Sequence, residues 1–229
     1  MFGGGIADKF GNAYEARWAV RQLLDVLNAK AHSIHLEGIS AAFKGFEFAV
    51  DHGSHVAWHQ TKINAAGQNW TIRALEQEGV LSAFAARLRA NDRDRCVFVS
   101  QSPPADLLDL ANKASYASDF ADFDGALLKG AQEKFTSFHT TIGVTPEVAF
   151  NWLRRCDFRV MPESEITSAI ETFGSLLFDC APTEVYPALR GYLEARLNRV
   201  LTTETIRADM AAVAKLRIKE WSLDPTLRQ

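Results

Sequence analysis

Cysteine is scarce in this chain of 229 residues, and its spacing supports no framework. There are three, Cys96, Cys156 and Cys180, far apart and odd in number. No CxxC pair or Cys/His cluster suggests zinc, and no disulfide pattern is visible, so buried free thiols are expected. No apolar run approaches the ~18 residues that a membrane span needs. An excess of one charge is missing as well. With 25 Lys and Arg against 28 Asp and Glu, the net charge is -3, and any surface for nucleic acid must be a local patch. Repeats and low-complexity tracts are absent, and a composition 47% hydrophobic and 23% charged is that of a folded globular chain. The opening MFGGGIADKFG has no cationic stretch leading into an apolar core, so no secretory signal is read there. These absences together lead us to expect a reduced, cytoplasmic protein without a membrane partner.

What is present is a clear change of periodicity along the chain. Phe10, Tyr14, Trp18, Val20, Leu23, Leu24 and Leu27 recur at helical spacing, which predicts a helix from about Ala7 to Leu27. SIHLEGI (33–39) reads as a strand. GFEFAV (45–50) alternates, DHGSH (51–55) supplies a turn at Gly53, and HVAWHQTK (55–62) returns as the partner strand of a hairpin. A helix is expected over 71–88 with Thr71 or Asn69 as N-cap, followed by a buried strand CVFVS (96–100). From Pro103 onward the pattern is mainly helical: helices near 105–117, 119–135, 145–155, 162–178, 183–198 and 202–214, with one short strand at 157–161. The expected architecture is α/β, with an α-β-β-β-α-β core in residues 1–140 and a mainly helical extension, 141–229, leading towards a further domain of a longer parent chain.

The hairpin gathers the residues that can carry chemistry. Side chains two apart on a strand share a face, so Gln60 and Lys62 lie side by side after Trp58. A turn centred on Gly53 sets Glu47 opposite His59 or Gln60, within reach of that face. A carboxylate and an amide oxygen suit Mg²⁺ (or Mn²⁺), which prefers oxygen ligands, and such a metal polarises a phosphoryl oxygen and acidifies a bound water. A lysine beside it can orient that water and offset the charge growing on the phosphorane. Glu15, on the first helix, is the candidate for a second carboxylate. Lys44, Asn64 and Gln68, with Lys9 and Arg17 on the first helix, are candidates for contact with DNA phosphates.

This order of elements, with a carboxylate, a hairpin and then Gln-x-Lys, resembles the PD-(D/E)xK restriction-endonuclease-like superfamily in its QxK variant. The stretches GGGIADKFGNAYEARWAVRQLL, FEFAV, WHQTK, NWT and CVFVS are similar to the N-terminal nuclease modules of Cap4-type bacterial antiphage effectors, found on cyclic-oligonucleotide sensors and on large STAND NTPases. The resemblance covers about residues 1–101. It implies a module that cuts double-stranded DNA with Mg²⁺ once oligomerisation brings copies together, fused to or partnered with a sensor or NTPase. Gln60 and Lys62 occupy the QxK positions, Glu15 the helix acid, and Glu47 the place where the family has Asp.

The same residues also suit plainer roles. Gln60 and Lys62 would fit the solvated side of an edge strand, and Glu47 the outer face of an alternating one. The longer carboxylate at position 47 favours an alternative function: a catalytically silent nuclease fold that binds DNA or a partner protein and signals to an attached sensor. A plain helical interaction domain is a third. His52, His55 and His59 share no face and read as turn or surface residues. GGGIADKFG follows no strand and precedes no Lys-Ser/Thr pair, so it is not a phosphate loop. Thr145-Pro146-Glu147 is a helix start, and Arg154 and Arg155 form a small solvated basic pair.

Overall fold

A computed structural model describes residues 13–36, 43–64, 68–212 and 216–219. In chain order the elements are α1 (Ala13–Leu27), β1 (Ser33–Leu36), β2 (Phe48–Asp51), β3 (Val56–Lys62), α2 (Ile72–Gln77), α3 (Val80–Ala90), β4 (Asp94–Ser100), α4 (Ala105–Tyr116), α5 (Phe120–Ala126), α6 (Lys129–Ile142), α7 (Pro146–Leu153), β5 (Cys156–Val160), α8 (Glu163–Leu177), α9 (Pro182–Glu194), β6 (Val200–Thr202) and α10 (Thr203–Ala212). The fold is α/β, and its first elements follow the expected order apart from one helix that is divided in two. Among the described residues no helix is long and apolar enough to cross a membrane.

The chain forms two compact units, drawn from Met1–Ile39, Phe48–Gly53 and Pro162–Gln229 in one case and from Ser40–Glu47 and Ser54–Met161 in the other. Residue 140, near which a subdivision was expected, lies within α6, inside the second unit.

In the first unit β1 pairs antiparallel with β2 on one side (Ile34 with Val50) and with β6 on the other (Ile34 with Leu201). Of the residues of β6, Val200 and Leu201 were expected to lie between two helices and Thr202 to begin the second; so short a strand leaves no periodicity to read. α1 buries Tyr14, Trp18, Leu23, Leu24 and Leu27, and α8, α9 and α10 pack around it. Its polar stripe is held by charge. Arg17 pairs with Glu163 at 2.8 Å and lies over the Tyr186 ring at 4.8 Å. Arg21 pairs with Asp25 at 2.7 Å and covers Phe173 at 4.6 Å. On α10, Asp209 accepts from Arg196 Nε at 2.7 Å and from the Tyr192 hydroxyl at 2.9 Å. These bonds, Arg196 first, hold its carboxyl below the ordinary 3.8.

In the second unit β3, β4 and β5 run parallel, in a register that aligns Trp58, Cys96 and Cys156, then Gln60, Phe98 and Phe158, then Lys62, Ser100 and Val160. β4 is buried at every position except Arg95, as a parallel strand should be. The helix expected over 71–88 is two helices. Thr71 caps α2 by accepting from Ala74 N–H at 3.1 Å, but Gly79 adopts φ 73 and ends the helix. A left-handed residue cannot continue a right-handed turn, and glycine takes that conformation without steric cost. The helix expected over 119–135 likewise divides into α5 and α6. Leu127 and Leu128 are extended, which lets Phe123 of α5 meet Phe135 of α6 at 5.0 Å and Phe150 of α7 at 5.1 Å. Helix α7 starts as its sequence requires, with Thr145 accepting from Val148 N–H and Pro146 in the first turn.

Of the cysteines, Cys96 is buried and the other two are half-buried, all as free thiols. Burial raises the Cys96 thiol well above its ordinary value and pushes Cys156 up to about 12, which leaves both protonated and unreactive near neutral pH.

Asp209 supplies a test of the first unit by pH. A carboxyl whose folded value is depressed stabilises the fold above its unfolded value and loses that stabilisation as pH falls through the folded one. Asp209→Asn should cost no more than about 1 kcal/mol, because the pair is partly exposed and screened. Denaturant titrations should show that difference at pH 6 and see it shrink as pH falls through and below 3.8.

Candidate metal and phosphodiester site

The second unit carries Glu47, Gln60 and Lys62 together. Trp58, Gln60 and Lys62 alternate along one face of β3, and that face is the one covered by α2 and α3. Arg87 of α3 lies 3.8 Å over the Trp58 ring while its Nε donates to the buried Asp94. Phe46 packs edge-on to Trp58 at 5.6 Å and stacks on Phe84 at 5.8 Å. Trp58 is thus an anchor for the start of β3, leaving the polar residues to its C-terminal half.

Glu47 sits where a ladder is expected to continue and does not. Its N–H donates to the His59 carbonyl at 3.0 Å, which puts it opposite His59, one of the two partners expected from the hairpin. One rung on, the Thr61 N–H is met by the Glu47 side chain rather than by another backbone carbonyl: Thr61 N donates to Glu47 Oε2 at 3.1 Å. The carboxylate is therefore pinned near the C-terminal end of β3, at the N–H between Gln60 and Lys62. The chain reaches this point through a turn at Gly45, whose φ is 85 and whose missing side chain would lie 2.7 Å from the Ala83 methyl.

Gln60 is buried, 3% exposed, and its Oε1 has no hydrogen-bond partner among the described residues. Hiding an amide oxygen without a partner costs about 1–3 kcal/mol, so the oxygen is one that a ligand would satisfy. Lys62 is half-buried, and its Nζ lies 3.6 Å from Glu78 Oε2 at the end of α2. Lys62 and Ser100 close the carboxyl ends of parallel strands, the edge at which ligands bind in open α/β sheets. Ser100 is itself organised: its Oγ accepts from Trp70 Nε1 at 2.9 Å and from the Ser102 N–H at 3.1 Å. Trp70 also meets Phe98, the register partner of Gln60, edge-on at 5.8 Å.

The DNA-contact candidates divide. Lys44 is exposed in the turn before Glu47, and Gln68 is exposed in the loop after β3. Asn64 braces that loop by donating to the Gln68 carbonyl at 3.2 Å. Arg17 belongs to the first unit and is engaged by Glu163 and Tyr186. Glu15 is half-buried on α1, also in the first unit. Lys9 lies outside the described residues. The histidines have local partners: His52 Nδ1 is 3.3 Å from the Lys30 carbonyl, His55 Nδ1 is 3.0 Å from Ser54 Oγ, and His59 is buried on β3. Arg155, expected to be solvated, donates to the Asn91 and Leu88 carbonyls, both at 2.9 Å.

Among the described residues no cluster of three or more His, Cys, Asp or Glu side chains is placed to hold a metal. The donors at β3 are of another composition, one carboxylate and one amide oxygen. Hard oxygen donors of this kind fit Mg²⁺ or Mn²⁺, with water filling the remaining positions, and the orphaned Gln60 oxygen is the observation that speaks for such a group.

Glu78, Trp70 and Ser100 were not singled out in the sequence. LEQEG puts two glutamates at the C-terminal turn of α2, the end where a negative charge opposes the helix dipole and calls for a cation. Reading 71–88 as one helix hid that signal.

No family model matches the sequence, and no curated protein does. Among solved structures the chain is similar to the Cap4 SAVED/CARF-domain containing receptor of Acinetobacter baumannii with the cyclic trinucleotide 3'3'3'-cAAA. The TM-score is 0.52 at 14% identity, over 87% of this chain and 44% of that one. The same receptor with 2'3'3'-cAAA matches with the same values. This chain shares their fold. It spans less than half the length of the Cap4 receptors it matches.

Gly45 offers a test of how the carboxylate is placed. Gly45→Ala puts a side chain into a left-handed conformation and against Ala83, and should cost about 1–3 kcal/mol. Thermal unfolding should show that loss. A melting temperature equal to that of the wild type would mean that this turn does not hold Glu47 in the way described.

Proposed function

We propose that this chain is a Mg²⁺-dependent DNA endonuclease module of a bacterial antiphage protein, cutting double-stranded DNA when copies are brought together. The observation that carries the reading is the Gln60 amide oxygen, buried and unpartnered, on the same strand face as Lys62 and beside a carboxylate pinned to that strand. The shared Cap4 fold supports the antiphage setting.

In this reading Glu47 and Gln60 hold the metal. When bound, the metal supplies polarisation of a phosphoryl oxygen and a more acidic water. The rest falls to the chain itself. Lys62 orients the attacking water and, as the water oxygen bonds to phosphorus and an ester bond breaks, offsets the negative charge gathered on the phosphoryl oxygens. Trp70 and Ser100 keep the edge beside Lys62 rigid. Lys44, Asn64 and Gln68 line the approach for the DNA backbone.

A second reading has its own observation. Glu47 replaces the Asp of the superfamily pattern, and one of its oxygens already accepts a backbone hydrogen bond. A silent module of the same fold would bind DNA or a partner protein and pass a signal to an attached sensor.

Supercoiled plasmid separates the two. Wild-type protein with Mg²⁺ or Mn²⁺ should nick it, and EDTA should stop the reaction. Lys62→Ala should lose about 10²-fold or more in rate while keeping the wild-type melting temperature. A Lys62→Ala protein that cut at the wild-type rate would remove Lys62 from the site. No metal-dependent nicking, even by copies fused to a dimerising partner, would leave the silent module.

A further inference from the structure

Lys62 is the residue on which the proposed chemistry turns, and it arrives with a partner that the superfamily pattern does not contain. Glu78 stands at the C-cap of α2 and reaches Lys62 Nζ at 3.6 Å. A carboxylate at that end of a helix faces the negative pole of the helix dipole, so only a cation makes the position favourable. The helix that carries it is fixed in place. Its N-terminus is capped by Thr71, and the preceding Trp70 is tied to Ser100, the register partner of Lys62.

The pair itself is loose. At 3.6 Å it exceeds the 2.7–2.9 Å of a charge-assisted hydrogen bond, and the two side chains are 30% and 52% exposed. An exposed pair of this kind contributes about 0.2–1 kcal/mol. A phosphodiester oxygen offers the ammonium the same charge and can displace the carboxylate at little cost. A tighter, buried bridge would have locked Lys62 away, because breaking one leaves an uncompensated charge.

Resting on the nuclease reading, we infer that Glu78 is a positioning residue for Lys62: it holds the ammonium as a resting counter-ion and yields it to a phosphodiester oxygen of the DNA. Free protein then keeps Lys62 extended over the site without exposing an unpaired cation. DNA entry exchanges one anion for another and leaves the Glu78 carboxylate facing solvent. Glu78 therefore opposes DNA binding through Lys62, and does so by a measurable amount.

The experiment is a double-mutant cycle read by fluorescence anisotropy of a short labelled duplex at low salt with EDTA, so that no cleavage intervenes. Glu78→Gln should tighten binding about 1.4- to fivefold when Lys62 is present, the range that an exposed ion pair spans, and should change it little in a Lys62→Ala background. Glu78→Asp, which keeps the charge, should bind as the wild type does, and circular dichroism should show all the variants equally folded. An equal gain in both backgrounds would make Glu78 a general repulsive charge and overturn the inference, as would no gain with Lys62 present. Wild-type protein that bound no duplex would overturn the nuclease reading, and this inference with it.

Discussion

One hydrogen bond organises the candidate site: the Thr61 N–H given to the Glu47 carboxylate. A strand in a sheet presents its N–H groups at fixed intervals, and each buried one needs an acceptor. Where the backbone turns away at Gly45, that acceptor has to come from a side chain, and Glu47 is the residue in position to supply it. The demand of backbone satisfaction and the proposed metal chemistry thus converge on one carboxylate. A shorter side chain starting from the same Cα would reach less far along β3. The glutamate at this position is suited to the backbone contact it makes, whichever chemistry follows.

The neighbouring polar groups are arranged by the sheet. Parallel pairing puts Gln60 beside Phe98 and Lys62 beside Ser100, so the first polar residue is enclosed by apolar surface and the second emerges at an organised edge. That difference in surroundings separates their roles. Gln60 holds an unsatisfied oxygen in a buried place, while Lys62 is part-exposed and, in the proposed reading, free to change partners. Trp58 and Trp70 bracket the two, one fixed by Arg87 and the other by Ser100.

Much of this was legible in the sequence, and the reasons for the remainder are physical. The alternation in FEFAV and HVAWHQTK, with a turn at Gly53, was enough to set Glu47 against His59 or Gln60, and the structure selects His59. Gln60 and Lys62 followed from the two-residue period of a strand. Thr145 was a recognisable cap because its hydroxyl precedes a helical pattern, and Thr71 was one of two candidates, with Asn69, of which the structure uses Thr71. The breaks at Gly79 and at Leu127–Leu128 were not legible, since helical apolar spacing persists across both and only tertiary packing selects the bend. Glu78 was hidden for the same reason: within one long helix it is a surface glutamate, and only a helix end gives its charge a meaning. The partition into units was also out of reach, because it depends on contacts between segments far apart in the chain.

That partition bears on how the protein comes into being. The second unit is nearly continuous, mostly Ser54–Met161, whereas the first needs segments from both sides of it. A ribosome releases the chain in order, so α1 emerges long before α8, α9 and α10, the helices that cover it. Until they arrive, Tyr14, Trp18 and Leu23 lack most of their partners within their own unit, and the second unit can finish folding while the first is still waiting. The part that bears the candidate site is then complete before the part that begins the chain, and the N-terminal helix is a nascent-chain liability that chaperones would be expected to shield.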